Sequence, residues 1–420
     1  MRKLFKNGHI IDPASSTDRV CDIVIEDGKV AEIGENLSGD EVIDCSGYVI
    51  APGLVDMHVH MREPGQENKE TIATAAQAAL AGGVTTILGM PNTVPAADNA
   101  SVVTFILSQG AKTPVNVLTT GAATKSNAGK EMAEIGLMFE AGITAVSDDA
   151  FPVQNSDLMR RVMEYTKMFD LPILLHCEDK DLTMGTVMNE GAVSTHLGLA
   201  ASPKAAEEIA VRRNIALCEL TGCRTHIQHV SCAGSVEAVR LAKSKGIPVT
   251  AETCPQYFSL TEKELETYNP AAKVNPPLRT DEDVEAVKAG LKDGTLDVIA
   301  TDHAPHAAED KDVEIMYAAF GMTGLETSLA LSITSLVKTG FMTLPELIAL
   351  MTAAPAKVLG IDKGTLAPGA DGDMVVFDPD EEWTVDVTKF RSKGKNTVLD
   401  GRKLTGKVKM TVVGGDVYKF

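Results

Sequence analysis

The stretch DMHVHMREPG, residues 56–65, sets His58 and His60 one residue apart and follows them with Arg62. Imidazoles at that spacing share one face of an extended chain, because successive side chains alternate faces. Further along lie Asn92 in MPNT, Asp148 and Asp149 in SDDA, His176 in HCED, His226 and His229 in HIQHV, and Asp302, His303 and His306 in ATDHAPH. Imidazole nitrogens and carboxylate oxygens gathered in one place read as a metal site, with zinc favoured by this nitrogen and oxygen donor set. Four histidines and two aspartates exceed the needs of one open catalytic zinc. They suit two metals about 3.5–4 Å apart that share a hydroxide and a carboxylate.

Each residue taken singly has a structural reading. His-x-His pairs occur in many proteins without metal, a lone strand histidine is usually a hydrogen-bonded core residue, and a strand-end aspartate often caps the next helix. Asn92 reads equally as a turn residue after Pro91, and Asn275 as a loop residue before Pro276. The metal reading rests on the combination, and therefore on elements that bring these positions together.

Those elements are legible as eight apolar runs: YVIAPGLVDMHVH, VTTILGM, PVNVLTT, ITAVSDD, PILLHC, THIQHV, IPVTAE and LDVIATD. Between them lie segments with helical apolar spacing, such as ENKETIATAAQAALAGG, SDLMRRVMEYTKMFD and PKAAEEIAVRRNIALCELTG. Eight strand and helix alternations predict an α/β fold, a (β/α)8 TIM barrel over residues 51–365, with a doubly wound open sheet as the other arrangement. A barrel places its chemistry at the C-terminal strand ends. Six of the nine histidines, at positions 58, 60, 176, 229, 303 and 306, fall at or just after such an end. Strand alternation lets His58 and His60 point inward together, selects His229 over His226, and leaves open which of Asp148 and Asp149 faces the centre.

The chain ends differ in pattern. KLFKNGHIID, CDIVIEDGKVAEIG with its Asp-Gly turn, GTLAPGADGDMVVFDP and VKMTVVGGDVYKF are short β-rich runs broken by glycine. Residues 1–50 and 366–420 are expected to pair as one small, discontinuous β-sandwich domain. The composition, 39 Lys and Arg against 58 Asp and Glu for a formal net charge of -19, disfavours nucleic acid as a partner. No run has the length of a signal peptide core or a membrane span, so a cytoplasmic protein with no membrane partner is expected. Seven cysteines without a Cys-x-x-Cys pair suit a reducing compartment and core positions.

In combination, HVHMREPG, MPNT, SDDA, HCED, HIQHVS, NPPLR, ATDHAPH and FGMTGLET resemble the bacterial dihydroorotases of the amidohydrolase superfamily. The resemblance covers nearly the whole chain. It implies reversible interconversion of N-carbamoyl-L-aspartate with L-dihydroorotate plus water, in pyrimidine synthesis. It also implies two Zn(2+) ions per subunit, with His58, His60 and Asp302 on one zinc and His176 and His229 on the other. Asp149 takes the bridging place that a carboxylated lysine fills in many relatives. A metal-bridged hydroxide would attack the ring amide, with Asp302 as general acid and base. His60, Arg62, Asn92, Asn275, His306 and the backbone of Phe320 and Gly321 would bind the small-molecule substrate, Arg62 taking its carboxylate. PHAAEDKDVEIMYAAFG is expected to be a mobile lid or an ordinary surface loop.

ETCPQYFSL, residues 252–260, is as similar to the hydantoinase and allantoinase branches. Another cyclic amidase is therefore the closest alternative, and a non-catalytic dihydroorotase-like scaffold is a third reading. A homodimer and a complex with aspartate transcarbamoylase are both compatible with the resemblance.

Overall fold

The computed structural model describes residues 1–420. All eight apolar runs supply strands of one parallel barrel, in the chain order Leu54–Val59, Val84–Gly89, Asn116–Ala122, Ala145–Ser147, Ile173–Leu175, Thr225–Ile227, Val249–Thr253 and Val298–Ile299. Each pairs with its sequence neighbour, and the first and last meet through a single parallel bridge from Val59 to His303. Beneath that seam, Asp56 accepts the amide of Thr301 at 3.2 Å and its hydroxyl at 2.6 Å.

The helices cover the barrel because their sequences bury one stripe. Helix Ser156–Lys167 starts at Asn155, whose side chain accepts the Leu158 amide, and buries Met159, Val162, Met163 and Thr166 at helical spacing. Each fully buried apolar side chain of this kind contributes about 1.5–3 kcal/mol. Helix Lys204–Thr221 ends where Gly222 adopts a left-handed conformation.

The first apolar run divides in two. Val49–Pro52 pairs with Arg2–Asp12 and Met374–Thr384 in the terminal sheet, whereas Leu54–Val59 enters the barrel. Gly53 sits between them, where an added Cβ would lie 2.1 Å from the Thr85 hydroxyl oxygen, so only glycine lets the strand pass from one sheet to the other. The terminal sheet holds eight strands drawn from both chain ends. Its hairpin Thr17–Glu26 and Lys29–Gly34 turns on Asp27 and Gly28, both with positive φ, as an Asp-Gly turn requires. All seven cysteines are buried and free. No helix is long and apolar enough to cross a membrane.

Candidate active site

Strand ends carry the predicted donors to one point. His58 lies inside the first strand and His60 just beyond it, its amide bonded to the His303 carbonyl at 2.9 Å. Asp302 follows the eighth strand. Asp302, His229, Arg62 and Ala150 all have left-handed backbone, with φ of 51°, 36°, 63° and 67°. Non-glycine residues hold such conformations at a cost of about 1–3 kcal/mol each, and only where surrounding structure enforces them. All four residues line one cavity at the strand ends.

Asp149 is the centre of the cluster. Its Oδ1 lies 3.4 Å from His58 Nε2, 3.5 Å from His176 Nδ1 and 3.7 Å from His229 Nε2, while Oδ2 lies 3.5 Å from His60 Nε2. Asp302 Oδ1 lies 3.0 Å from His60 Nε2 and 3.5 Å from His58 Nε2. His229 Nε2 and His176 Nδ1 are 2.8 Å apart. Asp148 points the other way and accepts the amides of His176 at 3.1 Å and Val153 at 2.9 Å. Alternation left the two aspartates equivalent; these backbone bonds distinguish them.

The donor set fits divalent metal. His58 Nε2 and Asp149 Oδ2 are buried with no hydrogen-bond partner, an expensive state that a cation coordinated by both would relieve. Donor atoms of His58, Asp149 and His229, and of His58, His60 and Asp302, form two compact groups, each within 4.8 Å. Burial opposes the charge on His58, but Glu252, Asp149 and Asp302 outweigh it and hold its pKa well above the usual range. Burial likewise opposes ionisation of Asp149, yet His58 and the bonds from His176 and His229 keep its carboxyl well below the usual range.

Outer partners fix the rings. His58 Nδ1 donates to Glu252 Oε1 at 2.6 Å, leaving Nε2 toward the centre. The same carboxylate contacts His226 Nε2 at 3.2 Å, so His226 is held in the structural role that strand alternation assigned to it. His60 Nδ1 donates to Asn92 Oδ1 at 2.9 Å. His176 Nε2 faces Glu178 Oε2 at 2.9 Å, and Asn275 donates to that same oxygen at 3.0 Å. Such partners set tautomer and basicity of a metal-binding ring. Glu252 and Glu178 were not among the predicted residues. An acidic residue inside the apolar run IPVTAE, and another in HCED, were the available signals.

Above the donors opens a cavity of about 650 Å³ lined by His60, Arg62, Asn92, Asp149, His176, His229, Asn275, Asp302, His306, Phe320 and Gly321, with His58 beneath. Sequence reasoning named all of these, and the structure brings them together. Arg62 is buried, with Nε donating to the Pro305 carbonyl at 3.2 Å and Nη2 against His306 Nε2 at 3.3 Å. Burial pushes its pKa down to about 10, although Asp302 and Asp149 pull the other way. His306 donates from Nε2 to the Phe320 carbonyl at 2.7 Å; burial, Arg62 and Lys69 hold it neutral, its pKa pushed down to about 2. Residues 306–321 are anchored by Lys311, whose ammonium donates to the carbonyls of Pro270 at 2.9 Å and Lys273 at 3.1 Å. Lys69 and Lys273 also line the cavity and were not predicted.

Comparison with known proteins agrees with this geometry. The amidohydrolase family model matches residues 49–418. The chain is 52% identical to a dihydroorotase of Pelotomaculum thermopropionicum over 99% of this chain and 98% of that one. It is 50% identical to a dihydroorotase of Acetivibrio thermocellus, at the same coverage. Among solved structures, L-hydantoinase (dihydropyrimidinase) from Arthrobacter aurescens superposes with a TM-score of 0.89 at 28% identity, covering 99% of this chain and 95% of that one. A match of that extent is membership: the chain belongs to the amidohydrolase family.

Proposed function

We propose that the chain hydrolyses and forms a cyclic amide bearing a carboxylate, interconverting L-dihydroorotate plus water with N-carbamoyl-L-aspartate. The observation that carries this reading is Arg62. Its guanidinium is buried at the cavity wall against a carbonyl and a neutral imidazole rather than against a carboxylate of the chain. A buried cation with no carboxylate in direct contact is unfavourable, and a ligand carboxylate that forks onto it relieves that cost. Hydantoin rings offer no such group. The full-length relatives named dihydroorotase support the same substrate.

The donor set suits two zinc ions best: His58, His60 and Asp302 would hold one, His176 and His229 would hold the other, and Asp149 would add its carboxylate. When bound, such ions supply Lewis acidity toward the ring carbonyl and a water of lowered pKa. The remaining steps fall to side chains. Asp302 takes a proton from the attacking water and hands it to the departing amide nitrogen, and reverses both transfers during ring closure. Arg62 holds the substrate carboxylate, helped by the side-chain NH2 of Asn92, whose oxygen is engaged by His60. Asn275, His306 and the backbone at Phe320 and Gly321 complete the pocket. Glu252 and Glu178 keep the imidazoles oriented.

Initial rates with L-dihydroorotate, hydantoin and allantoin test the substrate. The carboxylated ring should be turned over fastest, and faster hydrolysis of hydantoin or allantoin would refute the reading. Stoichiometric metal analysis of the purified protein separates an enzyme from a scaffold, which would retain no zinc.

A further inference from the structure

Asn396 lies outside the barrel, between strands Met374–Thr384 and Lys403–Val413, yet the residue is only 7% exposed. Its Oδ1 accepts the His306 amide at 2.9 Å, and its Nδ2 donates to the carbonyls of Ala304 and Gly321, both at 3.0 Å. Its own carbonyl accepts the Thr323 amide at 2.9 Å. One amide thus ties together the two segments, 304–306 and 321–323, that wall one side of the cavity. Asparagine suits this place because it offers an acceptor and two donor hydrogens on one short stem. Aspartate would turn an anionic oxygen toward two carbonyls.

Between the residues that Asn396 grips stands Pro305, and Gly394 closes in behind it. A Cβ added to Gly394 would lie 2.5 Å from the Pro305 Cβ. The Pro305 carbonyl is the acceptor for Arg62 Nε. Two carboxyl groups, half-buried Glu326 and buried Glu70, hold the base of the same segment: Glu326 accepts the amides of Arg391 and Ser392, and Glu70 accepts the Lys393 amide at 3.1 Å and the Ser392 hydroxyl. We propose that Asn396 is a positioning residue for substrate binding, which fixes the Arg62 guanidinium through the Pro305 carbonyl and so couples the C-terminal segment to carboxylate recognition. The inference rests on the substrate reading above, in which Arg62 takes the substrate carboxylate.

The test is a double-mutant cycle between Asn396→Asp and Arg62→Ala, with Asn396→Ser as a smaller, uncharged second variant. In the wild-type background each Asn396 variant should raise KM for L-dihydroorotate roughly ten-fold or more, with kcat within about three-fold, because an ångström-scale misplacement of the fork weakens binding. In the Arg62→Ala background the same substitution should change KM less than about two-fold. Lys395→Ala removes bonds to the Phe390 and Ser392 carbonyls, both 2.6 Å, and leaves every bond of the Asn396 side chain in place; it should leave KM unchanged. Equal effects of the Asn396 variants in both backgrounds, an unchanged KM, or an equal effect of Lys395→Ala would overturn the proposal. If the wild-type protein does not turn over L-dihydroorotate, the substrate reading fails by itself. Amide exchange across 304–323 then decides: faster exchange in the Asn396 variants supports the clamp, and unchanged protection overturns it.

Discussion

Replacing Glu252 by glutamine removes a charge while leaving shape and hydrogen bonds in place. Neither partner of the 2.6 Å bond from His58 Nδ1 to Glu252 is exposed to solvent. Burial opposes ionisation of Glu252, but His58 and His226 bring its pKa down to about 2, so the charge is present at neutral pH. In Glu252→Gln the amide oxygen still accepts from His58, and the NH2 donates to His226 Nε2 once that ring carries its proton on Nδ1, from which it donates a hydrogen bond to the Thr250 hydroxyl 2.8 Å away. A hydrogen bond to a charged group contributes about 1.5–3 kcal/mol and a neutral one about 0.5–1.5. The lost difference is about 1–2 kcal/mol, which lowers metal affinity at His58 roughly 5- to 30-fold. Zinc competition against a chromophoric chelator measures this directly. One of the two binding events should shift by that factor. Unchanged zinc affinity would refute the idea that Glu252 acts by raising the basicity of the His58 ring.

Asp302→Asn should lower kcat by roughly 10²–10⁴ with little change in affinity, because proton transfer is felt only in the transition state; near-normal turnover excludes Asp302 as the shuttle. Arg62→Ala should raise KM for L-dihydroorotate by roughly 30- to 150-fold, the equivalent of a lost charge-assisted pair of about 2–3 kcal/mol, and steady-state kinetics reads it. Burial raises the Glu326 pKa to about 7, above its unfolded value of about 4.3. The folded state therefore binds the extra proton between those pH values. Its stability contribution is full below pH 4.3 and lost as pH rises toward 7. Melting temperature of Glu326→Gln relative to wild type should accordingly grow more favourable across that interval; a constant difference rules the effect out.

Much of the barrel was legible because its strands are short apolar runs and its chemistry lies where they stop. His58 and His60 share a face by period alone, and a spacing of three separates His229 from His226. Other features left no such trace. The break at Gly53 arises from a close approach to Thr85, which lies 32 positions away in sequence and carries no local signal. Asp148 and Asp149 differ only in which backbone amides surround them, a tertiary fact. Glu252 and Glu178 act through histidines rather than toward the cavity, so residue type without a partner did not mark them. Asn396 was hidden most thoroughly: it stands in a β-rich tail, 90 residues from the His306 amide it accepts.

The seam between Val59 and His303 also orders events during synthesis. Five of the six proposed donors leave the ribosome before the eighth strand exists, and Asp302 arrives only with it. The donor set is complete once the last strand has docked against the first. On the proposed ligand set, metal uptake at full affinity would report that the chain has been made through its eighth strand and closed, and a truncated or stalled chain would lack the site that stabilises it.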